Sequence, residues 1–143
     1  SSKHKATDLR RFEIAFAPKN PLVKIEQPMP ANTVINFGNN ILDGLNDIFL
    51  QVDYVGDNGQ ALLEGQLIAD HFYYGAPWEI GIKRFVEQLK GQLLYLYFNA
   101  ISKDAPCLIY FKDKMPPFGN NSEYLKINSI KVIPEYKCKV EIE

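Results

Sequence analysis

An aromatic cluster near the middle of the chain holds the residues best suited to binding chemistry. The run Tyr73-Tyr74-Gly75-Ala76-Pro77-Trp78 combines three aromatic rings with turn-forming residues. Sugars stack their apolar C–H faces on aromatic rings, and nearby carboxylates accept their hydroxyl hydrogens. Asp70 and Glu79 flank the run and supply such carboxylates. The candidate carbohydrate-binding residues are therefore Asp70, Tyr73, Tyr74, Trp78 and Glu79.

The same cluster has a purely structural interpretation. Aromatic side chains bury large areas whether or not a ligand exists, and a lone tryptophan in a β-rich domain commonly belongs to the core. In that case Trp78 would fix a hairpin to the rest of the domain, and its exposure to solvent would be low. Both interpretations remain open at this point.

Catalytic chemistry is the least favoured alternative. His71 next to Asp70 has the types needed for general acid–base work. Adjacent residues on a strand point to opposite faces, however, and no serine or cysteine nucleophile completes a triad. Glycosidases use two carboxyl groups held about 5–9.5 Å apart, and among the 17 acidic residues no pair stands out. We expect no catalytic residue in this chain.

Oxygen ligands for a cation occur at one turn. Asp53, Asp57 and Asn58 are of the kind that calcium takes, but their spacing is not that of an EF-hand. Asp-Asn-Gly is also common turn chemistry. We expect no cofactor and no metal, with a structural calcium ion at these three residues as the alternative.

Composition narrows the classes of partner. The net charge is −1 and there is no basic run with interleaved aromatics, so nucleic-acid binding is not expected. No apolar stretch approaches the ~20 residues that cross a bilayer, so membrane insertion is not expected either.

Cys107 and Cys138 fall in predicted strands, and free buried thiols are favoured over a disulfide. The sequence does not fix the location of the protein, and an extracytoplasmic one, periplasmic or secreted, is favoured.

Alternating apolar residues separated by turn signals predict a β-rich fold. A short helix over 82–89, closed by Gly91, is favoured by apolar residues at helical spacing. Regular ladders are not expected among Pro18, Pro21, Pro28 and Pro30. The predicted strands cover 12–16, 34–37, 48–54, 61–63, 66–68, 93–98, 107–111, 124–133 and 136–142, with a tight turn at 64–65 and a break at Pro134.

These elements predict one all-β domain over 1–143. The fold class is a two-sheet β-sandwich of the jelly-roll type with at most one or two short helices, because alternating strands must bury one face against a second sheet. Residues 1–10 are polar and are expected to be disordered or a remnant outside the fold.

Two segments resemble a known family. They are VDYVGD at 52–57 and LLEGQLIADHFYYGAPWEIGIKRF at 62–85. Similar stretches occur in the galactose-binding-like jelly-roll domains attached to β-galactosidase-like glycoside hydrolases of family thirty-five. Ile82 stands where the relatives have Leu. The matching positions are Gly65, Leu67, Ala69, Asp70, Phe72, Gly75, Pro77, Trp78, Glu79, Gly81 and Arg84.

The resemblance implies an accessory module rather than an enzyme. Such domains flank a catalytic barrel and either bind carbohydrate or brace the barrel, so the implied partner is a glycan or a glycoside hydrolase catalytic domain. The family's catalytic pair belongs to the barrel, which needs ~250 residues. The expected function is that of a non-catalytic, carbohydrate-binding or bracing module. The alternatives are a structural interaction domain without a sugar site and, last, a small glycan-acting enzyme.

Overall fold

A computed structural model describes residues 12–16, 23–29, 31–111, 114–136 and 138–142, the first and last of these segments through their backbone alone. Residues 1–10 and the prolines at 18, 21 and 30 lie outside the described residues, as does the Cys138 side chain. The strands are β1 (Phe12–Phe16), β2 (Lys24–Met29), β3 (Asn32–Asn36), β4 (Leu45–Val55), β5 (Asn58–Leu63), β6 (Gln66–Phe72), β7 (Trp78–Gly81), β8 (Leu94–Asn99), β9 (Ile101–Ser102), β10 (Glu123–Tyr124), β11 (Lys126–Tyr136) and β12 (Cys138–Ile142).

Two antiparallel sheets form the body of the domain. The larger has the order β2-β3-β8-β5-β6, and the smaller has the order β11-β4-β7. The chain crosses between these two sheets after β3, after β4, after β6 and after β7, so each sheet is assembled from distant parts of the sequence. β1 pairs with β12 and β9 pairs with β10 in two further small sheets. The predicted all-β, two-sheet sandwich is confirmed.

The core lies between the two sheets and follows from period-two alternation. In β4 the residues Ile48, Leu50 and Val52 are fully buried, and the residues between them are partly exposed. In β8 the residues Leu94 and Leu96 are fully buried from the opposite sheet. Apolar side chains that alternate in this way fill the space between the sheets, so removal of apolar surface from water stabilises the sandwich.

The predicted hairpin and helix are both present. Glu64 and Gly65 have φ values of 51° and 76°, so both centre residues of the β5–β6 turn are left-handed, as a type I′ turn requires. A 3₁₀ turn at Lys83–Phe85 continues into the helix α1 (Val86–Leu89), which is followed by Gly91 at φ 70°. No helix in the described ranges is long and apolar enough to span a bilayer.

One predicted strand is wrong. Residues 107–111 were expected to extend, but Pro106–Tyr110 form a 3₁₀ helix. Proline at the first helical position has its φ preset for a helix and lacks only an N–H that would be unpaired there. Leu108 and Phe111 pack with Ile101 and Phe118 in a second, smaller apolar cluster. Cys107 lies beside this cluster, partly buried, and is a free cysteine.

Pro134 was wrongly predicted to break a strand. The predicted lack of a regular ladder among the other prolines is wrong for residues 24–26, which pair with β3, but the ladder is irregular around Pro28. Pro28 lies inside β2, and Pro134 lies inside β11, opposite Ile48. Both strands are at the edge of their sheets, where one side of the strand needs no ladder hydrogen bond, and proline is tolerated there. The β2–β3 register also shifts between Glu26 and Met29, which leaves Pro28 in the irregular part of the strand.

A close contact between Gly59 and Trp78 joins the sheets at the β5–β7 side. A Cβ atom added to Gly59 would lie 2.7 Å from Cζ3 of Trp78 and 3.3 Å from Cδ1 of Phe98. Real Cβ atoms do not approach so closely, so the indole ring occupies the space that any other residue at 59 would need. Glycine in this strand marks a site of close approach rather than a turn.

We expect Gly59→Ala to lower the free energy of unfolding by about 1–3 kcal/mol, because overpacking forces the indole ring or the strand to shift. In a Trp78→Leu background the same substitution should cost less, since the clashing ring atoms are gone. A double-mutant cycle by chemical denaturation measures this coupling. Equal costs in the two backgrounds would show that the contact does not determine the choice of glycine.

Candidate functional site

Trp78 is a core residue. It starts β7, pairs with Val52 in β4 and is 5% exposed. Its indole ring packs beneath Gly59 and joins the main core cluster. A ring in this position has no free face for a sugar, so the structural interpretation accounts for Trp78.

His71 lies between Trp78 and Tyr74 in an aromatic group. The imidazole and indole rings are nearly parallel, at 12° with centroids 5.6 Å apart, and the Tyr74 ring lies 5.4 Å from the imidazole. Tyr74 is 66% exposed. Among the three, only Tyr74 presents substantial ring surface to solvent.

The contact with Tyr54 favours one tautomer of His71. The Tyr54 hydroxyl lies 2.8 Å from His71 Nδ1 and donates to the His71 carbonyl oxygen at 3.3 Å. A hydroxyl has one hydrogen, so both contacts are satisfied when Nδ1–H donates to the Tyr54 oxygen. His71 Nε2 is then the unprotonated nitrogen; it is buried and has no hydrogen-bond partner among the described residues. Burial lowers the pKa of His71 below its ordinary value of 6.5, so the ring is neutral at pH 7.

Tyr73 connects the two apolar clusters. Its ring stacks on Phe111 at 5.5 Å and 18°, and it also lies 5.6 Å from the Tyr54 ring. Its backbone N–H donates to the Asp57 carbonyl at 3.0 Å. Burial and, second, the Asp53 carboxylate raise the pKa of Tyr73. Tyr73 is a half-buried packing residue.

The two predicted carboxylates lie on different sheets. Glu79 is exposed on the outer side of the three-stranded sheet, opposite Gln51. Asp70 is exposed on the outer side of the five-stranded sheet, opposite Gln60. His71 pairs with Gly59 and points inward, so Asp70 and His71 do not meet, as the alternation of the strand predicted. The five predicted residues are therefore not brought into one site.

The residues predicted as possible cation ligands, Asp53, Asp57 and Asn58, make other contacts. Asp57 Oδ2 accepts from Asn58 Nδ2 at 2.8 Å, and Asp53 Oδ1 accepts from Asn128 Nδ2 at 3.5 Å. Burial, followed by the Asp57 carboxylate and Tyr73, raises the pKa of Tyr54 well above its ordinary value. In the described part of the chain, no group of three or more His, Cys, Asp or Glu residues is placed to hold a metal ion.

The sequence prediction missed the outer face of the five-stranded sheet. Tyr95 and Tyr97 project from the middle strand β8, are 36% and 38% exposed, and have nearly parallel rings with centroids 6.4 Å apart. In register with Tyr97 are Asn32 on β3 and Gln60 on β5. We call this surface the tyrosine–amide face and define it as Asn32, Asn58, Gln60, Tyr95, Tyr97 and Asn99.

The central strands of this surface carry no formal charge. β3, β5 and β8 each direct three side chains outward, and all of them are uncharged in a protein with 23% charged residues. Charged side chains appear at the two edges of the sheet, with Lys24 and Glu26 on β2 and Asp70 on β6. The outward side chains are Asn32, Val34, Asn36, Asn58, Gln60, Leu62, Tyr95, Tyr97 and Asn99.

Hydrogen bonds order part of the tyrosine–amide face. Asn99 Nδ2 donates to Asn58 Oδ1 at 2.7 Å, and Asn58 Nδ2 donates to Asp57 Oδ2 at 2.8 Å. This relay fixes which atoms of the two amides face their neighbours. The sequence signal for the surface was the strand Leu94–Asn99, in which tyrosines alternate with buried leucines, but only the strand register reveals the amides beside them.

Comparison with known proteins gives no functional assignment for this chain. No protein-family model matches the chain, and neither a curated protein nor a solved structure matches it significantly. The resemblance of residues 52–57 and 62–85 to accessory domains of β-galactosidase-like enzymes stays a prediction from the sequence.

Trp78→Ala should lower the free energy of unfolding by about 3–5 kcal/mol, because it removes a large buried side chain. The control Tyr74→Ala changes an exposed ring in the same aromatic group and should cost only about 0.5–1.5 kcal/mol. Chemical denaturation compares the two, and acrylamide should quench the fluorescence of the single tryptophan only weakly. Strong quenching together with an unchanged stability of the Trp78 variant would place the ring on the surface.

The free energy of unfolding should fall as the pH is lowered through 6.5. The pKa of His71 is lower in the folded than in the unfolded protein, so the unfolded state binds more protons in this range and acid favours it. The stabilisation is complete above pH 6.5 and is lost towards the folded pKa. His71→Phe keeps a flat ring against Trp78 but cannot titrate, so its Tm should depend less on pH between pH 7.5 and 5. Tyr97→Phe, on the outer face of the larger sheet and away from His71, should retain the wild-type slope. Identical slopes for wild type and His71→Phe would contradict the assignment.

Proposed function

We propose that this chain is a non-catalytic accessory β-sandwich module of a β-galactosidase-like glycoside hydrolase and that it binds carbohydrate. The observation that carries the proposal is the uncharged tyrosine–amide face, with two exposed, nearly parallel tyrosine rings among amides. The sequence resemblance over residues 52–57 and 62–85 supplies the context of a glycoside hydrolase.

The chemistry of this surface is complementary to a neutral sugar. Tyrosine rings offer an apolar face to C–H groups and a hydroxyl at the rim. Each amide offers two N–H donors and a carbonyl acceptor, which suits hydroxyl groups that donate and accept at once. Because the surface lacks a Lys or Arg footprint on its central strands, it does not favour phosphate-rich ligands.

Bracing of a catalytic domain is the second candidate function. It is favoured by three exposed apolar side chains near the smaller core, Ile109, Tyr110 and Met115, which are 66%, 82% and 54% exposed. Apolar side chains that together form an exposed patch mark interaction sites. The resembling motif also serves stability here, because Trp78 fixes the β5–β6 hairpin to the smaller sheet.

The proposal is tested with the purified chain on immobilised neutral polysaccharides and on a nitrophenyl β-galactoside. We expect retention by at least one neutral polysaccharide, a rise in Tm with the soluble form of that glycan, and no hydrolysis. Tm rises because a ligand that binds only the folded state stabilises it by mass action. Hydrolysis of the galactoside would contradict the non-catalytic assignment, and failure of every neutral glycan to bind would leave bracing as the better account.

A further inference from the structure

The tyrosine–amide face spreads its contacts across several strands. The register places Asn32, Tyr97, Gln60 and Asp70 side by side on β3, β8, β5 and β6. Neighbouring strands lie ~4.8 Å apart, so this row extends over about 14 Å. A row of this kind offers successive contacts along a line, whereas a site for one terminal sugar would concentrate its contacts at one point.

Along the strand direction, the outer surface of the larger sheet changes from apolar to polar. Tyr95 is flanked in register by Val34 and Leu62, whereas Tyr97, two residues further along β8, is flanked by Asn32 and Gln60. The next pair along the strands is Asn99 and Asn58, which are hydrogen-bonded to each other. Tyr97 is therefore the ring with hydrogen-bonding amides on both sides, and Tyr95 widens the apolar part of the surface.

We propose that the tyrosine–amide face binds the interior of an extended, neutral, linear polysaccharide laid across the strands, with one sugar over Tyr97 and its hydroxyls on Asn32 and Gln60. This inference rests on the proposed function and names its ligand class and site. Asp70 ends the row and accepts hydroxyl hydrogens from a neighbouring sugar. The site lies away from the Tyr73–Glu79 cluster that the sequence favoured.

Charge complementarity selects the ligand class. The outward side chains of the three central strands are uncharged, so a neutral chain meets no desolvated charge when it binds. A polyuronate or sulfated chain would meet no cation on those strands, with Lys24 only at the β2 edge, and would approach the carboxylates of Glu26 and Asp70.

The test measures affinity for β-1,4-linked galacto-, gluco- and manno-oligosaccharides from the monosaccharide to the hexasaccharide, with polygalacturonate as the charged probe. We expect the affinity for at least one neutral series to rise at least about tenfold from monosaccharide to tetrasaccharide, since each further subsite adds contacts. Polygalacturonate should bind more weakly than that series.

Variants locate the site. Tyr97→Ala should weaken binding of the hexasaccharide about tenfold or more, Gln60→Ala should weaken it several-fold, and Tyr97→Phe should retain most of it because the ring remains. Tyr74→Ala is the matched control, since Tyr74 is a more exposed tyrosine outside the face. Tm measurements on each variant show whether the folded state is intact.

Two results would overturn the inference and leave the proposed function standing. One is equal affinity for the monosaccharide and the hexasaccharide; the other is loss of binding in Tyr74→Ala but not in Tyr97→Ala. If none of the neutral oligosaccharides or polysaccharides binds, the inference and the proposed function both fail. The outcomes therefore separate an error about the site from an error about the ligand.

Discussion

The approach of Trp78 to Gly59 is the constraint on which the arrangement of the sheets depends. The indole ring belongs to the three-stranded sheet and lies where the Cβ of a residue on the five-stranded sheet would be. Because the ring fills that space, it sets the distance between β5 and β7. His71 pairs with Gly59 and packs against the same ring. The stacking on Trp78 contributes to the burial of His71, and burial lowers the pKa of the imidazole. A smaller residue at 78 would remove this stacking partner from His71.

Strand β8 shows how the same alternation builds both the core and the candidate site. Leu94 and Leu96 are fully buried, while Tyr95 and Tyr97 face solvent from the same strand. The strand is central in the larger sheet, so its inner residues are held on both sides and its outer residues stand on a rigid surface. Rigidity matters for binding because side chains already in place lose less entropy when a ligand arrives. The stability of the core and the order of the tyrosine–amide face are thus two consequences of one position in the sheet.

The sequence predicted those elements whose signal is local. The turn at Glu64-Gly65 needs left-handed residues, and the short helix before Gly91 has apolar residues at helical spacing, so both could be read from a few neighbouring positions. Pro134 misled because its tolerance depends on an edge position, which only the completed sheet defines. The segment 107–111 misled because a short apolar run does not distinguish a strand from a helical turn by its periodicity. Turns and short helices can be predicted from neighbouring residues, whereas the edge or central position of a strand is defined only in the assembled sheet.

The candidate site was the hardest part to predict, because aromatic density along the sequence does not measure aromatic exposure. The run from Tyr73 to Trp78 is the most conspicuous cluster, yet it sits where the chain passes from one sheet to the other, and such a crossing must fill the end of the core. Tyr97 is inconspicuous in the sequence, since the amides beside it lie 37 and 65 positions away on other strands. What makes it a binding candidate is the cross-strand register, which brings neutral donors and acceptors to both sides of an exposed ring. A search for binding surfaces on β-sandwiches should therefore ask which outward residues are neighbours across the ladder, because that relation carries the chemistry.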